Sequence, residues 1–178
     1  MMRFGRGFAI WLTGLPSSGK TTLANALQGL LCDQGLCVEV LDSDELRKIF
    51  TPTPSYTTQE RDWFYEVIVF LAELLTRNGV NVIIAATAPK NLYRENARKR
   101  IERFVEVYLK CSPRVCRNRD VKGLWKKSDE GQISALPGAG FIYEPPTSPD
   151  IQVDTENLDA QTAARYVHEE LMKRGLMD

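Results

Sequence analysis

Short, continuously apolar runs alternate with stretches of helical spacing along this 178-residue chain. "FAIWLT" (8–13) ends at a glycine-rich turn and reads as a central parallel strand, because an uninterrupted apolar run suits a strand buried on both faces. "TLANALQGLLCDQG" follows with helical spacing and a terminal glycine. "CVEVLD" (37–42) is a second strand, with Ser43 placed to cap a short helix through "ELRKIF". The span 51–55 carries two prolines and reads as a loop. Thr57 or Thr58 caps a long helix running to about Arg77, with Glu60 or Arg61 in its first turn and Gly79 at its end. "VNVIIAAT" (80–87) is the third and most apolar strand, halted by Pro89. "NLYRENARKRIER" is a helix with a basic face, and "FVEVYLKC" (104–111) a fourth strand. The span from about 112 to 149 is rich in Lys, Gly and Pro, has little periodicity, and is the candidate lid. "DIQVD" (150–154) is a short fifth strand, and a last helix follows "NLDAQ". Strands alternating with helices predict an α/β fold, a three-layer sandwich of about five parallel strands flanked by helices.

Length and composition narrow the classes. The chain is expected to form one domain, 1–178, with the lid as an insert. It is 43% apolar and 26% charged, with 23 Lys+Arg against 23 Asp+Glu, so no nucleic-acid partner is expected. Basic residues do crowd between Arg94 and Lys127, a local stripe that suits a small anionic ligand. The first ten residues run into Gly14 without a polar cleavage region, and no apolar run reaches the ~20 residues that span a bilayer. A cytoplasmic protein with no membrane partner is expected. Cys32, Cys37, Cys111 and Cys116 form no C-x-x-C pair and read as buried thiols. His168, in "ARYVHEELMKR", reads as a surface or packed histidine on a helix.

The chemistry begins at "GLPSSGKT". Gly14 to Thr21 spells G-x-x-x-x-G-K-T between a strand and a helix, the pattern of a phosphate-binding loop (P-loop, or Walker A). Backbone N–H groups from Ser17, Ser18, Gly19, Lys20, Thr21 and Thr22 wrap the phosphates, and little bulk is expected to fit at Gly14 or Gly19. Lys20 reaches the outer phosphates and Thr21 offers its hydroxyl to magnesium. ATP and Mg²⁺ are therefore the expected donor and metal. No N-K-x-D base-reading motif occurs, and the third strand does not end in Asp-Glu, so neither a GTPase nor a motor is indicated. Instead "VLDSDELR" puts Asp42 and Asp44 at a strand end beside the loop, where a carboxylate can hold the metal's water shell or accept a hydroxyl proton. The competing roles are a helix N-cap for Asp42 and a first-turn dipole partner for Asp44. Arg114, Arg117, Arg119, Lys122, Lys126 and Lys127 supply lid charge that closure would bring over a triphosphate while excluding water.

"RDVKGLWKK", "GQI" and "YEPPTSPDIQVDT", together with "GLPSSGKTT" and "LDSDELR", resemble the adenylylsulfate (APS) kinase family from about Phe8 to Thr155. The resemblance implies magnesium-dependent phosphoryl transfer from ATP to the 3′-hydroxyl of adenylylsulfate, the step that completes sulfate activation and forms PAPS, and often a homodimer. By position it implies Lys20 and Thr21 for phosphate and metal, and Asp44 as base or metal-linked carboxylate. Arg47 would contact the acceptor, Tyr56 would pack on its base, Arg61 would grip its anionic group, and Lys122 would be the lid lysine.

The departures from that pattern gather on the acceptor side. The family's D-G-D is Asp42-Ser43-Asp44, and the asparagine after it is Glu45. Its E-N-I-R-R is Trp63, Phe64, Tyr65, Glu66 and Val67; the serine of I-S-P-Y is Ala88; and the second aromatic of the base sandwich is Leu136. Glu66 in place of an arginine is expected to repel a bound anion, a charge-assisted bond being worth ~1.5–3 kcal/mol. Lys90, Trp125 and Phe141 are candidate compensations. Two alternatives stand beside the main reading: a related kinase for another small nucleotide-like acceptor such as cytidine diphosphoramidate, and a nucleotide-binding module without catalysis.

Overall fold

A computed structural model describes residues 6–177. The expected domain limits at 1 and 178 fall outside these. Five parallel strands, β1 (Ala9–Thr13), β2 (Val38–Asp42), β3 (Asn81–Ala85), β4 (Phe104–Lys110) and β7 (Ile151–Asp154), form one sheet in the order β2-β3-β1-β4-β7. Ile10 and Leu12 of β1 face one layer, while Ala9 and Trp11 face the other. The two-residue period of a strand thus splits an unbroken apolar run between two cores. On the first side lie α1 (Lys20–Asp33) and α7 (Ala160–Lys173), contributing Leu23, Leu27, Leu31, Val167 and Leu171. On the second lie α3 (Thr58–Arg77) and α4 (Asn91–Arg100), contributing Phe64, Tyr65, Ile68, Tyr93 and Ala97.

The connection leaving β1 runs to β2 on one side of the sheet, whereas the connection leaving its neighbour β3 crosses to β4 on the other side, with β7 beyond. That reversal opens a crevice outside the carboxyl ends of the strands, the place where open α/β sheets bind ligands.

The cap of α2 (Ser43–Phe50) is Asp42, not Ser43: the Asp42 carboxylate accepts the Asp44 N–H, and the helix starts one residue earlier than its apolar pattern suggests. Thr57 caps α3 by accepting the Glu60 N–H. The helix α4 stops at Arg100, where the chain turns extended at Ile101 to enter β4.

The lid span carries more structure than its aperiodic sequence indicates. It holds α5 (Pro113–Arg119), α6 (Leu124–Asp129) and two two-residue strands, β5 (Leu136–Pro137) and β6 (Gly140–Phe141). Ser112 caps α5 with Pro113 in its first turn, and Gly123 at φ 64° starts α6. Trp125, Cys111, Cys116 and Leu136 form a third small core there. Such short pieces turn too few times to show a period, yet pack locally. Two cysteines depart from expectation: Cys111 and Cys116 are buried, but Cys32 and Cys37 are exposed. His168 lies on α7, with Nε2 2.8 Å from Gln34 Oε1. No described helix is long and apolar enough to cross a membrane.

Candidate active site

A cleft of about 910 Å³ opens at the carboxyl edge of the sheet. Its donor side is the loop between β1 and α1. A side chain at Gly14 would place its Cβ 2.9 Å from the Leu109 carbonyl oxygen, so the loop passes β4 too closely for any other residue. Gly19 differs from the expectation of crowding. Nothing lies within 4 Å of its virtual Cβ, and its φ of 98° is what demands glycine. Thr155, in the turn just after β7, braces the loop by donating its hydroxyl to the Ser18 carbonyl at 2.9 Å, and the Trp125 indole N–H donates to the Pro16 carbonyl at 3.1 Å.

Ser17, Ser18, Gly19, Lys20, Thr21 and Thr22 all line the cleft. The Lys20 ammonium folds back onto the Gly14 and Leu15 carbonyls at 3.0 and 2.8 Å, where burial pushes its pKa down to about 8, against the pull of Asp44. A half-buried ammonium hydrogen-bonded to two neutral carbonyls is a receptor for a phosphate oxygen. Thr21 donates its hydroxyl to Asp42 Oδ2 at 2.6 Å. Both oxygens of Asp42 are thereby engaged, one by Thr21 and one by the Asp44 N–H. Asp44 itself lines the cleft and pairs with Lys122 from the lid. Burial opposes the charge on Lys122, yet its hydrogen bond to Asp44 raises its pKa overall.

The acceptor side is an arginine and aromatic clamp. The Arg47 guanidinium lies 3.8 Å from the Phe64 ring centroid and 5.2 Å from that of Tyr56. Arg61 is buried and donates to the Tyr56 carbonyl at 3.1 Å and the Ala135 carbonyl at 2.6 Å, with the Phe141 ring 4.6 Å away. Tyr56 adopts φ 54°, uncommon for a bulky residue. The Glu60 carboxylate holds that turn by accepting from the Ser55 and Tyr56 N–H groups, and those bonds outweigh desolvation to lower its pKa. Arg47, Tyr56, Arg61, Lys122 and Leu136 all line the cleft.

Three expected placements change. Phe64 is fully buried under Arg47 and does not line the cleft; it supports the clamp from below. Arg117 stacks on Trp125 at 4.8 Å and pairs with Asp129, so of the lid arginines only Arg119 reaches the cleft. Glu66 pairs with Arg100 on the outer face of α3 and is not a cleft residue. Glu66 follows Arg61 by five positions, which rotates it well away from the Arg61 face of a 3.6-residue helix, so the expected repulsion of a bound anion disappears. Among the candidate compensations, Phe141 does join the clamp, Lys90 pairs with Asp62 at 2.6 Å, and Trp125 stays in the lid core. Sequence reasoning missed Thr87 at the β3 end, Tyr65, and the α7 entrance at Leu158, Asp159 and Ala160, all of which line the cleft. The apolar run through 80–87 pointed to a strand end there, but nothing in the local pattern marks α7 as a cleft wall.

Residues 6–154 match the family model for adenylylsulphate kinase. The chain belongs to the adenylylsulphate kinase family. It is 40% identical to a probable adenylyl-sulfate kinase of Pyrococcus abyssi over 161 residues, covering 90% of this chain and 92% of that one. It is 43% identical to a counterpart in Archaeoglobus fulgidus over 152 residues, covering 85% and 98%. Among solved structures it resembles a Mycobacterium tuberculosis APS kinase in complex with AMPPNP and APS, with a TM-score of 0.89 at 29% identity, covering 94% and 99% of the two chains. Of the departures from the adenylylsulphate kinase pattern, Ser43, Glu45, Tyr65 and Leu136 line this cleft. Phe64 lies beneath Arg47, and Ala88 is buried at φ 43°.

Proposed function

We propose that this adenylylsulphate kinase family member transfers the terminal phosphoryl group of ATP to the 3′-hydroxyl of adenylylsulfate. The observation that carries the reading is that one cleft is lined by the Lys20–Thr22 phosphate loop, by Asp44, and by the Arg47, Tyr56 and Arg61 clamp. A triphosphate on the loop and an anionic nucleotide in the clamp are thus presented to one carboxylate.

Among the described residues there is no group of three or more His, Cys, Asp and Glu that could hold a metal. The loop instead offers the Thr21 hydroxyl beside Asp42 and Asp44. That set fits magnesium, an ion bound through one or two carboxylates together with substrate phosphates. When bound, magnesium neutralises charge building on the transferred phosphoryl group. Lys20 leaves the Gly14 and Leu15 carbonyls for the outer phosphates. Asp42 fixes Thr21 and the first turn of α2, and Asp44, which lines the cleft where Asp42 does not, is the carboxylate that accepts or orients the proton of the attacking hydroxyl. Lys122 holds Asp44 in place and turns to the nucleotides when they arrive. Arg119, tied to the Thr155 carbonyl at 2.6 Å, positions the donor wall.

The test is ADP release from Mg-ATP with adenylylsulfate, with cytidine diphosphoramidate, and with no acceptor. Strong stimulation by micromolar adenylylsulfate alone is expected. Stimulation by cytidine diphosphoramidate instead moves the acceptor assignment. Nucleotide binding without transfer to either acceptor leaves a binding module and refutes the proposal.

A further inference from the structure

Two positions where the adenylylsulphate kinase pattern carries polar side chains are apolar here: Phe64 stands for asparagine and Ala88 for serine. Both side chains are fully buried. The next residue along α3 carries a polar group. Tyr65, where the family pattern has isoleucine, lines the same cleft as Arg47 and Arg61. Its hydroxyl accepts the Ala88 N–H at 3.0 Å, and its ring stacks on Tyr93 with centroids 4.3 Å apart and planes 20° from parallel. Tyr93 is held in turn by donating to Asp62 Oδ1 at 2.6 Å. The Tyr65 phenol is therefore fixed in direction, one of its lone pairs is used, and its own O–H has no acceptor among the described residues.

A hydroxyl that already accepts a backbone N–H has a proton to give. On a cleft wall that also carries the Arg47 and Arg61 guanidinium groups, it suits an anionic oxygen. We infer that Tyr65 is an acceptor-binding residue whose O–H donates to an oxygen of the anionic 5′ tail of adenylylsulfate, supplying the polar group that Phe64 and Ala88 do not. Burial, the largest influence on Tyr65, raises its pKa and keeps the proton available at neutral pH, although Arg47 and Arg61 pull the other way. This inference rests on the proposed acceptor.

The test measures binding with the donor site filled by a non-hydrolysable ATP analogue. Adenylylsulfate and adenosine are titrated against the wild type, Tyr65→Phe, and a protein carrying 3-fluorotyrosine at position 65. Tyr65→Phe is expected to weaken adenylylsulfate about 10- to 100-fold, the range for a bond to a charged group, while adenosine and the ATP analogue change less than about twofold. The fluorinated ring fits the same space, keeps both hydrogen bonds and donates more strongly, so it tightens adenylylsulfate alone and keeps the test open should Tyr65→Phe fold poorly. Equal weakening of adenosine and adenylylsulfate, or no selective change in either variant, overturns the assignment of Tyr65. A wild type that binds the ATP analogue but not adenylylsulfate refutes the acceptor itself, and the Tyr65 inference falls with it.

Discussion

Phe64→Leu separates two jobs that one buried ring performs. Phe64 fills the core between α3 and the sheet, and its face is the platform on which the Arg47 guanidinium rests at 3.8 Å. Leucine conserves most of the volume and all of the hydrophobicity, so the stability cost is expected to be about 1 kcal/mol, against ~3–5 kcal/mol for Phe64→Ala. Either substitution removes the cation–π interaction, worth ~0.5–2 kcal/mol where the cation is partly desolvated. Arg47 retains weaker partners, Thr51 Oγ1 at 3.3 Å and Glu60 Oε1 at 3.4 Å, and these do not restrain its plane. The expectation is a rise of about 2- to 30-fold in KM for adenylylsulfate, with KM for ATP unchanged, read from steady-state ADP release. A double-mutant cycle with Arg47→Ala should return a coupling of at least ~0.5 kcal/mol between the two positions. A drop in denaturation midpoint with an unchanged acceptor KM and zero coupling would refute the platform role and leave Phe64 as core alone.

Asp44→Asn should lower the transfer rate by about 10²-fold or more while ATP still binds, measured by single-turnover ADP formation and by calorimetry; comparable loss from Asp42→Asn without loss of the Thr21 arrangement would reassign the base. Lys20 supplies a pH prediction. Its pKa of about 8 lies below the usual lysine value. Binding a phosphate recharges it, so ATP binding should take up a proton and weaken as pH rises past about 8. The folded chain holds fewer protons on Lys20 than the unfolded chain between about 8 and 10.5, so without nucleotide this group makes the protein more stable as pH rises through that window. Calorimetry in buffers of different ionisation heat and thermal melts read the two opposite slopes. Iodoacetamide at pH ~8 should label the exposed Cys32 and Cys37 and spare Cys116, whose burial pushes the thiol to about 12; mass spectrometry before and after unfolding checks this.

Strand and helix order, the phosphate loop and the family were readable in the sequence because each is carried by local spacing. An apolar run of strand length, a glycine at a fixed offset and a lysine after it mean the same thing wherever they fold. What the chain could not display locally was direction. Whether position 64, 65 or 66 of α3 meets the ligand depends on how the helix is rotated against β3, and that rotation is decided by packing with Tyr93, Ile84 and the rest of the second core. Glu66, which looks disruptive beside an anion, is turned to the outer face and satisfied by Arg100. Tyr65, which reads as one more aromatic core residue, reaches the cleft. The division between Asp42 and Asp44 likewise depended on a partner 21 residues away, since only the folded loop brings the Thr21 hydroxyl onto Asp42. Local residue types determined which chemistry the chain can perform; the tertiary packing decided which side chains perform it, because the rotation of each element against its neighbours sets which side chains face the cleft and which face the core or the outer surface.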